Sequence, residues 1–71
     1  HDLTLRMRAT YARALYDDPN VTLDNLREAV STLEDTERTA RRVLGGAHPV
    51  TTWIWENLQA ARPALRARET H

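Results

Sequence analysis

The sequence predicts an all-α fold of one small domain. Three stretches of the 71-residue chain carry apolar residues at the three- and four-residue spacing of an amphipathic helix. Only two Gly and three Pro interrupt the chain, and turn-forming residues are concentrated at 17–20 and 45–46, between these stretches. We therefore expect an antiparallel helical hairpin followed by a third helix.

The first helix is expected to run from about residue 3 to residue 17. Two adjoining apolar stripes follow helical spacing here: Met7, Tyr11, Ala14 and Leu15, and beside them Leu5, Ala9, Ala12 and Tyr16. The helix should end near Asp18, because the residue before a proline is disfavoured in the helical conformation.

The second helix is expected from about residue 22 to residue 44, with Thr22 as its N-cap. It carries two adjoining stripes, which share Leu33 and Ala40. The first is Leu23, Leu26, Val30, Leu33, Glu37, Ala40 and Leu44, interrupted only by Glu37, and the second is Ala29, Leu33, Thr36, Ala40 and Val43. A helix with apolar residues on two adjoining faces packs against two neighbours, so this helix should lie at the centre. Gly45 should end it in a left-handed backbone conformation.

The third helix should begin at Pro49, which suits a first helical turn, and continue to about residue 67. One face carries Ile54, Leu58, Ala61 and Leu65. Pro63 lies inside this helix and removes one backbone hydrogen bond, so we expect a bend near residues 59–62 and a frayed end. The domain then divides into a helix pair, residues 1–48, and a third helix, residues 49–71.

Composition argues against several classes of function. The ten basic and ten acidic residues cancel, whereas nucleic-acid binders and polybasic membrane binders need a positive surplus. The chain has no cysteine, and no apolar run approaches the roughly 18 residues of a membrane span. The compartment stays open, although the absence of cysteine and of a signal peptide in this chain favours an intracellular location over secretion.

No pattern of residues indicates an enzyme, so we expect no catalytic residue, no cofactor and no metal ligand. Ser31 is the only serine and has no histidine near it in the sequence. Residues 17–20 lack the glycine and the distal glutamate of a calcium-binding loop. His48 stands before Pro49 without the further ligands that a metal would need, so a capping role in the turn is expected.

A short motif recurs, because His1-Asp2-Leu3-Thr4 is followed 47 residues later by His48-Pro49-Val50-Thr51. Each copy opens a predicted helix, and repeats of this length are typical of stacked helix pairs. A wider pattern resembles the tetratricopeptide repeats of the kinesin-light-chain type: His1, Thr4, Leu5, Tyr11-Ala12, Ala29, Leu33 and the closing run Val43-Leu44-Gly45-Gly46-Ala47-His48-Pro49.

The resemblance covers about residues 1–58 and implies about one and a half helical repeats. The third helix departs from the family pattern, since it has Leu58-Gln59 where a Leu-Ala pair is expected. It therefore resembles a half repeat or a capping repeat. Because arrays of this kind generally need about three repeats for stability, we expect further repeats or a larger assembly to support the chain.

Six residues are candidates for partner binding. Trp53 and Trp55 are two residues apart, so on a helix they point about 200° apart and cannot share one core. One possibility is that each tryptophan covers an edge of the core. The other is that one of them is exposed to a partner; we choose Trp55 for this role, with Arg62 stacked on its ring. In a stack of helix pairs the first helix lines a concave groove, where an acidic or helical partner segment would meet Arg6, Thr10 and Arg13.

These observations favour a non-catalytic protein–protein interaction module, an adaptor or a scaffold. Its expected partners are other protein chains or further repeats of the same array. Three alternatives remain open: a small structural or linker subunit ordered within a larger multi-protein complex, a homodimeric helical bundle built on the stripe from Leu23 to Leu44, and an accessory domain of an enzyme.

Overall fold

A computed structural model describes residues 2–70, with only the backbone described for Asp2. It contains three helices: α1 (Asp2–Asp17), α2 (Leu23–Val43) and α3 (Pro49–Glu69). Helix α2 packs against both α1 and α3, which also contact each other. The all-α fold class is confirmed, and the predicted helix boundaries are met within one or two residues.

The core lies along α2, where both of its apolar stripes are covered except at Val43, which is 49% exposed. Leu26 and Leu33 of α2 and Ile54 of α3 are among the largest fully buried side chains, and Leu33 has no exposed surface. A homodimer built on the α2 stripe would therefore have to displace α1 and α3 of the same chain. The central position expected for the second helix is confirmed.

Helix α1 buries only one of its two predicted stripes. Leu5, Ala9 and Ala12 are buried, whereas Met7 is 63% exposed and Tyr11 is 53% exposed. The two alanines have no exposed surface, and their small side chains permit a close approach of α1 to the other helices. The stripe with Met7 and Tyr11 could be covered only by a further layer of structure. Residues 2–70 do not provide such a layer.

The helix ends follow the local chemistry of the sequence. The Thr22 Oγ1 accepts a hydrogen bond from the backbone N–H of Asn25 at 3.1 Å and caps α2. His48 caps α3 in the same way, since its Nδ1 accepts from the Val50 N–H at 3.1 Å. Gly45 follows α2 with φ of +93°, the predicted left-handed conformation.

Pro63 does not end α3, and the frayed end beyond it remains a prediction. The helix continues through Pro63 to Glu69. Pro63 and Gln59, whose carbonyl loses a helical hydrogen bond, both lie on the exposed side, where solvent can bond that carbonyl. Beyond the proline, Leu65 packs against the core, and this contact favours continuation of the helix. The predicted bend remains a prediction.

The recurring motif does not occupy equivalent environments in its two copies. Leu3 is 70% exposed, but Val50, its counterpart, is only 3% exposed. Thr4 is likewise exposed, whereas Thr51 is buried. His1 lies outside the described residues. The start of α3 packs into the core through Val50, whereas the start of α1 is exposed at Leu3 and Thr4, so the same short motif meets different neighbours.

Thr51 is buried at the start of α3, and its Oγ1 has no hydrogen-bond partner among the described residues. Thr51→Val replaces this hydroxyl with a methyl group of similar size, so we expect the free energy of unfolding to rise by about 1 kcal/mol. Urea unfolding followed by circular dichroism measures the change, and Thr52→Val at the exposed neighbouring position is the control. A loss of stability in Thr51→Val alone would show that the hydroxyl is hydrogen-bonded.

Candidate partner-binding site

Two open depressions lie next to each other between α1 and α3, and Trp53 lines both of them; together they are called the groove. One part has a volume of about 280 Å³ and is lined by Arg6, Pro49, Val50 and Trp53. The adjoining part has a volume of about 200 Å³ and is lined by Arg13, Tyr16, Trp53, Glu56, Asn57 and Ala60. Three of the sequence-predicted candidates, Arg6, Arg13 and Trp53, therefore lie along one groove.

Helical spacing explains how each wall of the groove is built. Arg6 and Arg13 are seven residues apart, so they lie on one side of α1 about two turns apart, with exposed Thr10 between them. On α3, Trp53, Asn57 and Ala60 follow the same spacing, and the short side chain of Ala60 leaves the groove open. The groove thus has an arginine edge and an aromatic wall.

A hydrogen-bond chain beneath the groove connects α1 to α3. The Tyr16 hydroxyl donates to the Asn57 Oδ1 at 2.7 Å, and the Asn57 Nδ2 donates to the backbone carbonyl of Trp53 at 2.8 Å. Asn57 is buried and Tyr16 is half-buried. These bonds satisfy the polar groups of Asn57 and hold the Trp53 segment against α1.

Burial raises the pKa of Tyr16, the negative charge of Asp17 raises it further, and the Arg13 charge partly opposes this shift. The hydroxyl therefore remains a hydrogen-bond donor at neutral pH. The sequence analysis assigned Tyr16 only to an apolar stripe and missed its bond to Asn57. The sequence contained one indication of this bond: Asn57 follows Ile54 by three residues and precedes Leu58 by one, and this spacing places it on the inward side of α3.

Trp55 and Arg62 do not join the groove, because they lie toward the other side of α3. Trp55 is 45% exposed, as predicted, whereas Trp53 is half-buried against the core. The Arg62 Nη2 donates to the Glu34 Oε2 at 3.3 Å and so connects α3 to α2. The predicted stacking of Arg62 on Trp55 remains a prediction.

A further apolar surface lies on α1, on the side away from the core. Leu3, Met7 and Tyr11 are exposed there at successive turns of the helix. The Tyr11 hydroxyl donates to the Glu28 Oε2 of α2 at 2.6 Å, and this hydrogen bond raises the pKa of Tyr11. The sequence did not reveal this surface, because Met7 and Tyr11 lie on one of two apolar stripes with equally good helical spacing.

Comparisons with protein-family models, curated proteins and solved structures gave no match to this chain. The class defined by the structure is therefore a three-helix all-α domain with an open groove and exposed apolar surfaces. Among residues 2–70, no group of three or more His, Asp or Glu side chains is arranged to hold a metal ion. Within the same range, no helix is both long and apolar enough to cross a membrane.

Proposed function

We propose that the chain is a non-catalytic protein–protein interaction module, an adaptor or a scaffold, that binds a partner segment in the α1–α3 groove. The observation that carries this proposal is the half-buried ring of Trp53, which borders both parts of the groove beside Arg6 and Arg13. Tryptophan and arginine are enriched among the residues that dominate binding energy at protein interfaces.

The charge of the α1 wall favours an acidic partner segment. Arg6 and Arg13 are separated by roughly 10 Å along the helix axis, taking 1.5 Å per residue. Three residues of a polyproline II segment span about 9 Å and return to the same face, so acidic residues three positions apart would meet both arginines. An apolar residue between them would contact Trp53. Arg13 is already paired with Asp17 at 3.3 Å, but both side chains are more than half exposed and can exchange partners.

A tetratricopeptide-like arrangement remains part of this proposal. It is supported by the helix pair followed by a third helix, by the left-handed Gly45 after α2 and by the His48-Pro49 start of α3. In such an arrangement α1 and α3 would line the concave surface. Further repeats or other chains would then cover the apolar side chains exposed at either side.

One observation favours the second candidate function, a small structural or linker subunit within a larger complex. Large apolar side chains are exposed on all three helices: Trp55 on α3, Val43 on α2, and Leu3, Met7 and Tyr11 on α1. Exposed apolar surface of this kind marks interaction sites. A chain that contacts two neighbours at once would have apolar patches on two sides.

The groove can be tested by titrating the chain with a synthetic acidic peptide that has two Glu three positions apart and a Leu between them. In a Trp55→Phe background, Trp53 is the only tryptophan, so its fluorescence reports on the groove. We expect a blue shift of its emission, because the peptide removes water from the ring. Arg13→Gln should weaken binding about tenfold, which corresponds to about 1.4 kcal/mol.

Arg42→Gln is the matched control, since Arg42 is an exposed arginine near the end of α2 that lines neither part of the groove. Added salt should weaken the binding of the original chain and have less effect on Arg13→Gln. The proposal fails if the emission of Trp53 does not respond to the peptide, or if both arginine variants weaken binding equally.

A further inference from the structure

We infer that the outer face of α1, defined by Leu3, Met7 and Tyr11, is a second docking surface that binds an acidic amphipathic helix of another protein. The inference rests on the proposed function only in treating the chain as an interaction module, because Leu3, Met7 and Tyr11 do not line the groove, although Arg6 and Arg13 border both surfaces. It is drawn from the exposure of these three side chains and from the charge of the residues around them.

The outer α1 face is continuous along the helix. Its three side chains are spaced four residues apart, so they form a line roughly 12 Å long at 1.5 Å per residue. They lie opposite the buried residues Leu5, Ala9 and Ala12. Helix α1 is therefore apolar on two opposite sides, and a helix of this kind is normally covered on both of them.

Beside the outer α1 face, the charged side chains that residues 3–16 of the helix contribute are all positive. Residues 3–16 contain three arginines and no aspartate or glutamate. By helical geometry, Arg6 and Arg13 lie on one side of the line and Arg8 lies on the other. Arg8 also lines a cleft of about 180 Å³ with Val43, itself an exposed apolar residue of α2. Acidic side chains also contact these groups: Glu28 accepts the hydrogen bond of Tyr11, and Asp17 is paired with Arg13 in an exposed ion pair that can exchange partners.

This pattern specifies the partner. An apolar line with arginines on both sides complements a helix that has an apolar stripe bordered by Asp or Glu. A second copy of this chain fits poorly, because two outer α1 faces would bring Arg6, Arg8 and Arg13 against the same arginines. Lipid-binding basic segments typically contain four to eight clustered basic residues, whereas this face has three and the chain has no net charge. Leu, Met, Tyr and Arg are instead residues that adaptable protein interfaces use.

The test uses a synthetic amphipathic helix with leucines at four-residue spacing and Glu beside them, and a twin peptide with Lys in place of Glu. We expect the Glu peptide to shift the backbone NMR signals of residues 3–14 and the Lys twin to bind at least tenfold more weakly. Met7→Glu should weaken binding of the Glu peptide at least tenfold, because it removes an apolar contact and adds a repulsive charge. Gln59→Glu adds the same charge at an exposed position of α3 and should leave binding unchanged.

Four results would overturn the inference. The first is the absence of shifts in residues 3–14 with the Glu peptide, and the second is equal binding of the two peptides. The third is that the chain binds phosphatidylserine vesicles and not the Glu peptide, and that Met7→Glu abolishes the binding to vesicles. This result would assign the face to a membrane surface. The fourth is dimerisation in sedimentation that Met7→Glu abolishes, which would assign it to a second copy. The groove is reported separately by Trp53 fluorescence, so either proposal can fail while the other holds.

Discussion

Leu33→Ala is expected to lower the free energy of unfolding by about 2–5 kcal/mol, the range for truncating a buried leucine. Leu33 has no exposed surface and lies where the two apolar stripes of α2 meet. The substitution would remove contacts in the centre of the core and leave a cavity. A domain of 71 residues has a total stability of roughly 4–10 kcal/mol. The variant is therefore expected to be partly unfolded at 37 °C.

Leu3→Ala is the matched control, since it makes the same chemical change at a side chain that is 70% exposed. Its effect should be within about 0.5 kcal/mol of zero, as for most surface substitutions. Thermal and urea unfolding followed by circular dichroism at the helical band measure both variants. Equal stability of the two would mean that Leu33 is not a core residue and that the helices pack differently.

Gly45→Val is expected to destabilise the chain by about 1–3 kcal/mol, because a β-branched residue strongly resists positive φ. Gly45 has φ of +93°, and a side chain built on it would meet nothing within 4 Å. The expected cost therefore comes from the backbone alone and not from a steric clash. The variant should lose helix at the end of α2 and loosen the turn that leads to α3.

Two further variants separate this backbone effect from a general intolerance of the loop to substitution. Gly46 does not have a positive φ, and an added Cβ would lie 3.4 Å from the flexible end of Arg41, so Gly46→Ala should be nearly neutral. Gly45→Asn should cost less than Gly45→Val, because asparagine adopts left-handed conformations more readily. If Gly45→Val and Gly46→Ala have equal stability in a urea melt, Gly45 does not require its left-handed backbone.

The candidate site was only partly predictable from sequence. The spacing of Trp53 and Trp55 on one helix shows that their rings point apart, and the choice of Trp55 as the exposed one agrees with the structure, in which Trp53 packs against the core. Arg6 and Arg13 could be placed on one side of α1 by the same reasoning. That Trp53 lies between them depends on how closely α3 approaches α1, which no pattern within either helix specifies.

The sequence by itself determined the three helices, their ends and the central helix, because these depend on interactions between residues close in the chain. Thr22, Gly45 and His48 act on backbone groups within a few residues of themselves. The tertiary structure alone decided which stripe of α1 is buried, since Met7 and Ala9 both lie on stripes with correct helical spacing. Neighbouring helices can cover only one side of an edge helix, and the small side chains of Ala9 and Ala12 permit the closer contact. The opposite side, with Leu3, Met7 and Tyr11, therefore remains exposed.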